Sequence, residues 1–524
     1  MGGTVVPDLT VISLCDALTG WTAVGGTNSL NDPTVFDQIQ GSYCIQNYNA
    51  GAANRGADYD FGVDTNLSDT TIYFWFAFSK KAYHATNPMR IRVTDAAGNW
   101  REWNIFTKDT LPHPAWIAWA LKTTVAYDAQ SATAPTMTAI RKVGWRADSV
   151  AGKTYIYFDA WRYGTGLTIK LGTEGSPAVL EDFITAEATN AYGVIDKIND
   201  VYFCQGQIKI GSTTVDESTY FKDANQILVF KSIKGNPSGF YEIKGQRAVS
   251  GSGTTKIFFG TKSETAGISG CVIKAPSAMK FKLTMTDTNI TEFGFYGCTF
   301  QNADTIEGQA YSILKEFLTS NFINCAQVLP NTGIVKYCKF ISSPSEAVRM
   351  ISISHNIDHC DFITCTRGVH IPNIGTYPFN ALSFSGCTYD VKNSSAGLVT
   401  VNYDQYCNPP PSTHEETGGG STTIQTSVTL TVRHVKTGSE PTEYVRCSIY
   451  KKSDMTEIMN KNADIADEQN AGYYKASTTY TATGIAVIVR AREKGYLPFE
   501  MEVTITSNGL DVTAVWIPDP NYQP

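Results

Sequence analysis

A six-residue motif that returns through residues 265–395 constrains this chain more than any other feature. It reads Phe295-x-x-Cys298-Thr299-Phe300, Phe317-x-x-Ser320-Asn321-Phe322, Val335-x-x-Cys338-Lys339-Phe340, Ile357-x-x-Cys360-Asp361-Phe362 and Phe384-x-x-Cys387-Thr388-Tyr389. Ile268-x-x-Cys271-Val272-Ile273 fits the same mould. From one small residue to the next the steps are 27, 22, 18, 22 and 27 residues, the length of one coil of a solenoid. Side chains on a strand alternate faces, so the Cys or Ser and the aromatic two residues on share a face. The residue between them, Thr299, Asn321, Lys339, Asp361 or Thr388, is polar and points the other way. Stacked at about 4.8 Å, such strands put Cys271, Cys298, Ser320, Cys338, Cys360 and Cys387 into one interior column. The expectation is a parallel β-helix.

With 524 residues the chain is long enough for several cores. Only 17% of residues are charged, and 43 Gly, 27 Tyr and 25 Phe favour a β-rich, turn-rich protein. A net charge of -7 argues against nucleic acid as a partner. No apolar run is long enough for a membrane helix, and the N-terminus lacks a charged segment followed by an apolar one, so neither membrane insertion nor a signal peptide is expected. Of 12 cysteines, the column members read as reduced packing residues. For Cys15 and Cys44 a bridge stays open.

Eight of the nine tryptophans precede residue 165, which sets residues 8–165 apart as a domain. Ile72 to Phe78 is apolar on both faces and predicts a central strand. Arg90 to Val93 alternates and meets the turn Asp95-Ala96-Ala97-Gly98. With Gly20-Trp21, Gly41 to Cys44 and Tyr155 to Asp159, the layout resembles galactose-binding-like jelly rolls and carbohydrate-binding modules. Alternation puts Trp75, Trp116, Tyr155 and Tyr157 on the face away from the core. The resemblance implies that such rings stack on sugars, and the competing reading is that they pack against a further layer or subunit.

Residues 166–407 are expected to form the β-helix, capped by a short helix within 179–192. Right-handed β-helices of this kind resemble pectin lyases and phage tailspikes. A glycosidase needs two carboxylates flanking the scissile bond. Asp358 with Asp361 and Asp304 with Glu307 are the nearest candidates, and each reads as an outward or turn residue. No catalytic residues are assigned. His355, His359, Cys360, Cys365 and His370 invite a metal, but Cys360 faces inward while His359 beside it faces outward. No metal or other cofactor is expected.

Asn408-Pro409-Pro410-Pro411-Ser412 and Glu415 to Ser421 predict a Pro/Gly linker over 408–424. Beyond it, Val428/Leu430/Val432, Val445/Cys447/Ile449, Val487/Val489 and Val503/Ile505 alternate as half-buried strands, an Ig-like sandwich over 425–520. The segment Val487 to Tyr496 with Val503 to Ile505 resembles the prealbumin-like domains of the CnaB and carboxypeptidase-regulatory type.

The combination resembles tailed-bacteriophage virion surface proteins: head fibres, decorations, tail fibres and tailspikes. It implies an adhesive, non-enzymatic component of a virion surface, associating with itself as a homotrimer, with other virion proteins and with host surface glycan or protein. A polysaccharide-cleaving tailspike and a bacterial glycan-binding surface protein are the alternatives.

Overall fold

The computed structural model describes residues 2–31, 38–49, 55–79, 89–106, 116–148, 154–170, 172–211, 219–231, 241–246, 255–263, 265, 267–277, 280–285, 290–308, 314–330, 333–352, 356–404, 406–438, 440–442, 444–468, 470–480, 484–506 and 508–522. Among them the chain is nearly all β, with one α-helix, Leu180–Asn190. It divides into two compact units, Met1–Gly333 and Ile334–Pro524.

The first unit opens with two antiparallel sheets. One runs in the order Ala129–Gln130, Trp100–Phe106, Met89–Asp95, Ile140–Ala147, Arg55–Thr65, Trp21–Val24. The other pairs Thr154–Lys170 with Thr4–Ser13, Ile45–Asn49 and Thr71–Phe78, and the last of these with Ile117–Lys122. Phe74, Phe76 and Phe158 from the second sheet share a core with Ile91, Trp103 and Trp145 from the first. Phe76 meets Trp145 edge to face at 5.9 Å. Fully burying rings of this size contributes roughly 2 kcal/mol apiece, so this core dominates the stability of the two sheets.

Thr154–Lys170 then changes partner. Its end, Gly166 to Ile169, pairs parallel with Gln207–Ile210. From there every third strand returns to the same ladder. Val201–Cys204, Ile227–Phe230, Val272–Lys274, Thr299–Gln301 and Asn321–Ile323 pair in parallel. So do Thr219–Asp223, Thr255–Phe259, Ile290–Tyr296 and Leu314–Leu318. Gln207–Ile210, Tyr241–Gly245, Phe281–Met285, Ala303–Gly308 and Val328–Leu329 make the third ladder. Each coil is therefore triangular, one strand per side. Cys271, Cys298 and Ser320 are buried, with the Sγ atoms of Cys271 and Cys298 3.4 Å apart. Two residues on, the rings of Phe300 and Phe322 stack at 5.4 Å.

The second unit begins with the same parallel pairing. Lys339–Ile341 pairs with Asp361–Ile363, and that strand with Ser383–Ser385. Phe340, Phe362 and Phe384 stack at 5.0 and 4.9 Å. Cys338 and Cys360 are buried beside them. Cys387 does not join their column. The register aligns Phe362 with Phe384, so Leu382 takes the place that follows Cys360. Cys387 follows Cys365 instead: their thiols lie against the carbonyls of Phe362 and Phe340, at 3.5 and 3.4 Å. Cys387-Thr388-Tyr389 imitates the motif five residues downstream of the seat, which Leu382 fills.

Residues 408–424 are not a loose linker. His414–Glu416 pairs parallel with Tyr389–Asn393, and the amides of Thr417 and Gly420 donate to the carbonyls of Asn393 and Ser395. A Cβ on Gly420 would stand 2.1 Å from the carbonyl oxygen of Gly397, so the glycine permits close backbone contact and does not serve looseness. The chain enters Thr422–Lys436, whose first part pairs parallel with Val399–Tyr403. Its later part pairs with Tyr473–Tyr480 and Leu510–Trp516. The other sheet of this region runs Glu457–Ile465, Tyr444–Lys451, Ile485–Arg492, Phe499–Ile505. Leu430, Val432, Cys447, Ile449, Val489 and Trp516 form the core between the two sheets.

All 12 cysteines are free thiols, Cys15 and Cys44 included. Burial pushes the Cys44 thiol up to about 12, which removes the thiolate needed for exchange.

Candidate glycan-binding groove

The four outward aromatics of the first domain meet different fates. Trp75 is covered: its indole Nε1 donates to the carbonyl of Ala191 at 3.2 Å. Ala191 ends the helix Leu180–Asn190 in a left-handed conformation, φ 48°. Arg162 donates to the same carbonyl and to that of Asn190, both at 2.6 Å. A cation on the carbonyl end of a helix is favourably placed against its dipole. This face is thus an internal junction between sandwich and helix. Tyr157 is buried with Cys44 and Ala77, and Trp116 and Tyr155 pack partly buried beside them. Tyr155 also lies against Tyr48, with ring centres 5.1 Å apart.

A groove occurs on the ladder Thr219–Asp223, Thr255–Phe259, Ile290–Tyr296, Leu314–Leu318. Phe221, Ile257, Phe259, Phe293, Phe295 and Phe317 point inward and are buried. Alternation therefore sends Tyr220, Phe258 and Tyr296 outward. Phe258 is tilted against Tyr220 at 5.5 Å and stacks on Tyr296 at 5.9 Å. The register sets Phe258 opposite Gly294, and a Cβ there would come within 3.2 Å of both the Phe258 and the Tyr296 rings. Glycine thus lets two rings from neighbouring coils fold over one vacant position. The result is a cavity of about 290 Å³ with an apolar floor.

Its rim is polar. Lys262 pairs with Glu316 at 3.0 Å and hangs over the Tyr296 ring at 6.0 Å. Lys222 and Thr261 complete the lining. Burial, with the Glu316 carboxylate beside it, pushes the Tyr296 hydroxyl above its ordinary range, so it is a donor at any physiological pH. An apolar strip with ammonium and hydroxyl donors and one carboxylate acceptor suits a ligand with an apolar face and hydroxyls on its edge. None of these residues stands out in the sequence: Tyr220 and Phe258 lie in the irregular coils before Cys271, and Tyr296 and Glu316 occupy unmarked positions of the repeat. One signal was there: Tyr220, Phe258 and Tyr296 are spaced 38 residues apart each time.

Three of the four carboxylates considered for catalysis, all but Glu307, lie beside a lysine. Asp358 lies 3.2 Å from Lys336 and 2.7 Å from His359. Asp361 lies 3.6 Å from Lys339, and Asp304 4.0 Å from Lys282. Of the residues weighed for a metal, His355 lies outside the described residues. His370 is bonded to Ser394 at 2.8 Å, and burial holds its imidazole down at about 4. Among the described residues no three His, Cys, Asp or Glu side chains gather as a metal site would require, and no helix is long and apolar enough to cross a membrane.

No family model matches the chain, and no curated protein matches it. Solved structures with partial likeness include carbohydrate-binding modules and agarases. An exo-beta-agarase is 10% identical over 29% of this chain, with a TM-score of 0.24, and the match spans 24% of the agarase. The family 11 carbohydrate-binding module of the cellulase Lic26A-Cel5E of Clostridium thermocellum is 10% identical over 30% of this chain and 95% of its own, TM-score 0.23. The CBM22-1 xylan-binding domain from Paenibacillus barcinonensis Xyn10C is 13% identical over 31% and 95%, TM-score 0.21. At these TM-scores the likenesses carry no argument about this chain.

Proposed function

We propose that this chain is a non-catalytic adhesive protein of a tailed-phage virion surface, built from a jelly roll, a right-handed β-helix and an Ig-like sandwich. Its β-helix holds host glycan in the groove over Tyr220, Phe258 and Tyr296. The groove carries this reading. Its floor offers apolar area to the C–H face of a sugar, and Lys222, Lys262, Thr261 and Glu316 offer partners to the hydroxyls. The parallel ladder beneath it holds the rings in place without ligand, so little ordering entropy opposes binding.

The absence of catalysis is part of the proposal. Asp358, Asp361 and Asp304 are each committed to a Lys beside them, whereas glycoside cleavage needs two carboxyl groups facing each other across the scissile bond. Self-association as a trimer is also part of it, since symmetric assembly is the common way to cover outward apolar positions such as Ile341 and Ile363.

Immobilised host polysaccharides test the reading. The full chain is expected to bind at least one neutral polysaccharide and to release no reducing ends from it. Retention of none, or release of reducing ends that Asp358→Asn abolishes, would overturn it. Sedimentation should give a multiple of 57.3 kDa, and labelling of particles should find the chain on the virion exterior. A stable monomer would remove the trimer, and absence from particles would remove the virion role.

A further inference from the structure

We propose that the outer face of the C-terminal sandwich is a second binding face, an oxyanion site that takes carboxylate or phosphate groups of a polyanionic glycan. The observation is a pair of like charges held side by side. In the antiparallel pairing of Tyr444–Lys451 with Ile485–Arg492, Arg446 stands directly opposite Arg492. Like charges at opposed positions repel and destabilise the sheet. Ser448 is opposite Arg490 in the same register. Together with Tyr450 and Ala491 these residues line a cavity of about 270 Å³.

The three guanidiniums are not equivalent. Arg490 is engaged: its Nε donates to Glu500 at 2.8 Å, and its guanidinium lies over the Tyr450 ring at 6.0 Å. Arg446 and Arg492 are exposed and have no carboxylate partner within ion-pair distance among the described residues. Arg490 is thus held in place while two forks remain open next to it. Planar guanidinium forks match carboxylate and phosphate in a two-pronged geometry that an ammonium lacks. An oxyanion between Arg446 and Arg492 would convert their repulsion into two charge-assisted contacts, with the Ser448 hydroxyl and the Tyr450 ring beside it. This face lies in a different unit from the groove and does not depend on it.

Two probes titrated calorimetrically into the full chain test the site: oligogalacturonate, which carries carboxylates, and an oligomer of glycerol phosphate. At least one is expected to bind. Arg446→Gln and Arg492→Gln should each weaken it tenfold or more, and raising salt should weaken it further. Arg492→Lys, which keeps the charge and loses the fork, should weaken it at least threefold. Preference for one probe identifies the group recognised. Failure of both probes to bind, or binding by both Gln variants equal to wild type, would overturn the site. Without probe, Arg446→Gln should melt at or above the wild-type temperature; a lower melting temperature would show that the pair is held by contacts within the fold.

Discussion

Two aromatic surfaces of the first unit look alike in sequence and differ in what covers them. On the sandwich, Trp75, Trp116, Tyr155 and Tyr157 alternate with core residues on regular strands. Yet Trp75 ends against the Ala191 carbonyl, and Tyr157 is buried. On the ladder, Tyr220, Phe258 and Tyr296 alternate with core residues in the same way; Tyr296 is buried, Tyr220 and Phe258 are half-buried, and a groove lined by all three remains. Strand periodicity states which face a ring occupies. It says nothing about what else lies on that face: here the end of the helix Leu180–Asn190 covers Trp75, Tyr157 is buried with Cys44 and Ala77, and the ladder rings keep a groove.

The contrast is broken most strongly by removing what closes the first surface. Arg162→Ala deletes the guanidinium that caps the helix, and leaves the Asn190 and Ala191 carbonyls without it. It should cost about 3 kcal/mol or more, read as a lower denaturation midpoint, because a buried charged donor is lost. If Arg162→Ala unfolds no earlier than wild type, the junction does not hold this surface shut.

The second test uses pH. Asp159 lies opposite Trp75 in the same sheet and is fully buried, and desolvation raises its carboxyl to about 7 although three backbone amides donate to it. A folded pKa above the ordinary 3.8 means that the folded state keeps its proton longer. The stability from this group is therefore complete below about pH 4 and is lost as pH rises through 7. The swing is roughly 4 kcal/mol, and Asp159→Asn should flatten it in urea titrations between about pH 4 and 8. An unchanged pH profile in that variant would assign the effect to another group.

How much was legible follows from these elements. The 22-residue recurrence from Cys338 to Cys360 exposed the coils, because a strand with a small residue, a polar residue and an aromatic can be buried on only one side. It misplaced Cys387, where an apolar Leu382 fills the seat and the motif reappears further on. Tyr220 and Phe258 lie in the irregular coils before Cys271, which concealed the groove. In the Pro409 to Gly420 stretch a Pro/Gly composition predicts a linker, but composition does not show which backbone groups the segment bonds. There, the Pro409 carbonyl accepts a hydrogen bond from the Phe384 amide, and Gly420 lies against the Gly397 carbonyl. Gly420→Ala should cost about 2 kcal/mol if that ladder is as tight as its geometry, and a few tenths at most in a free linker. Thermal melting of the variant decides between the two.

The smallest expected effect sharpens the groove itself. Tyr296→Phe removes only the hydroxyl beside Glu316 and keeps the floor. It should change stability by about 1 kcal/mol and sugar affinity only a few-fold. A complete loss of binding would mean that the hydroxyl, and not the apolar floor, makes the main contact.

The most direct measurement is a calorimetric titration of one neutral oligosaccharide, taken from a polysaccharide that the chain retains, into three proteins: wild type, Phe258→Ala and Tyr155→Ala. If the ladder groove is the glycan site, Phe258→Ala weakens binding at least tenfold while Tyr155→Ala binds as wild type does. Loss of binding in Tyr155→Ala with Phe258→Ala unaffected would contradict it and return the site to the sandwich.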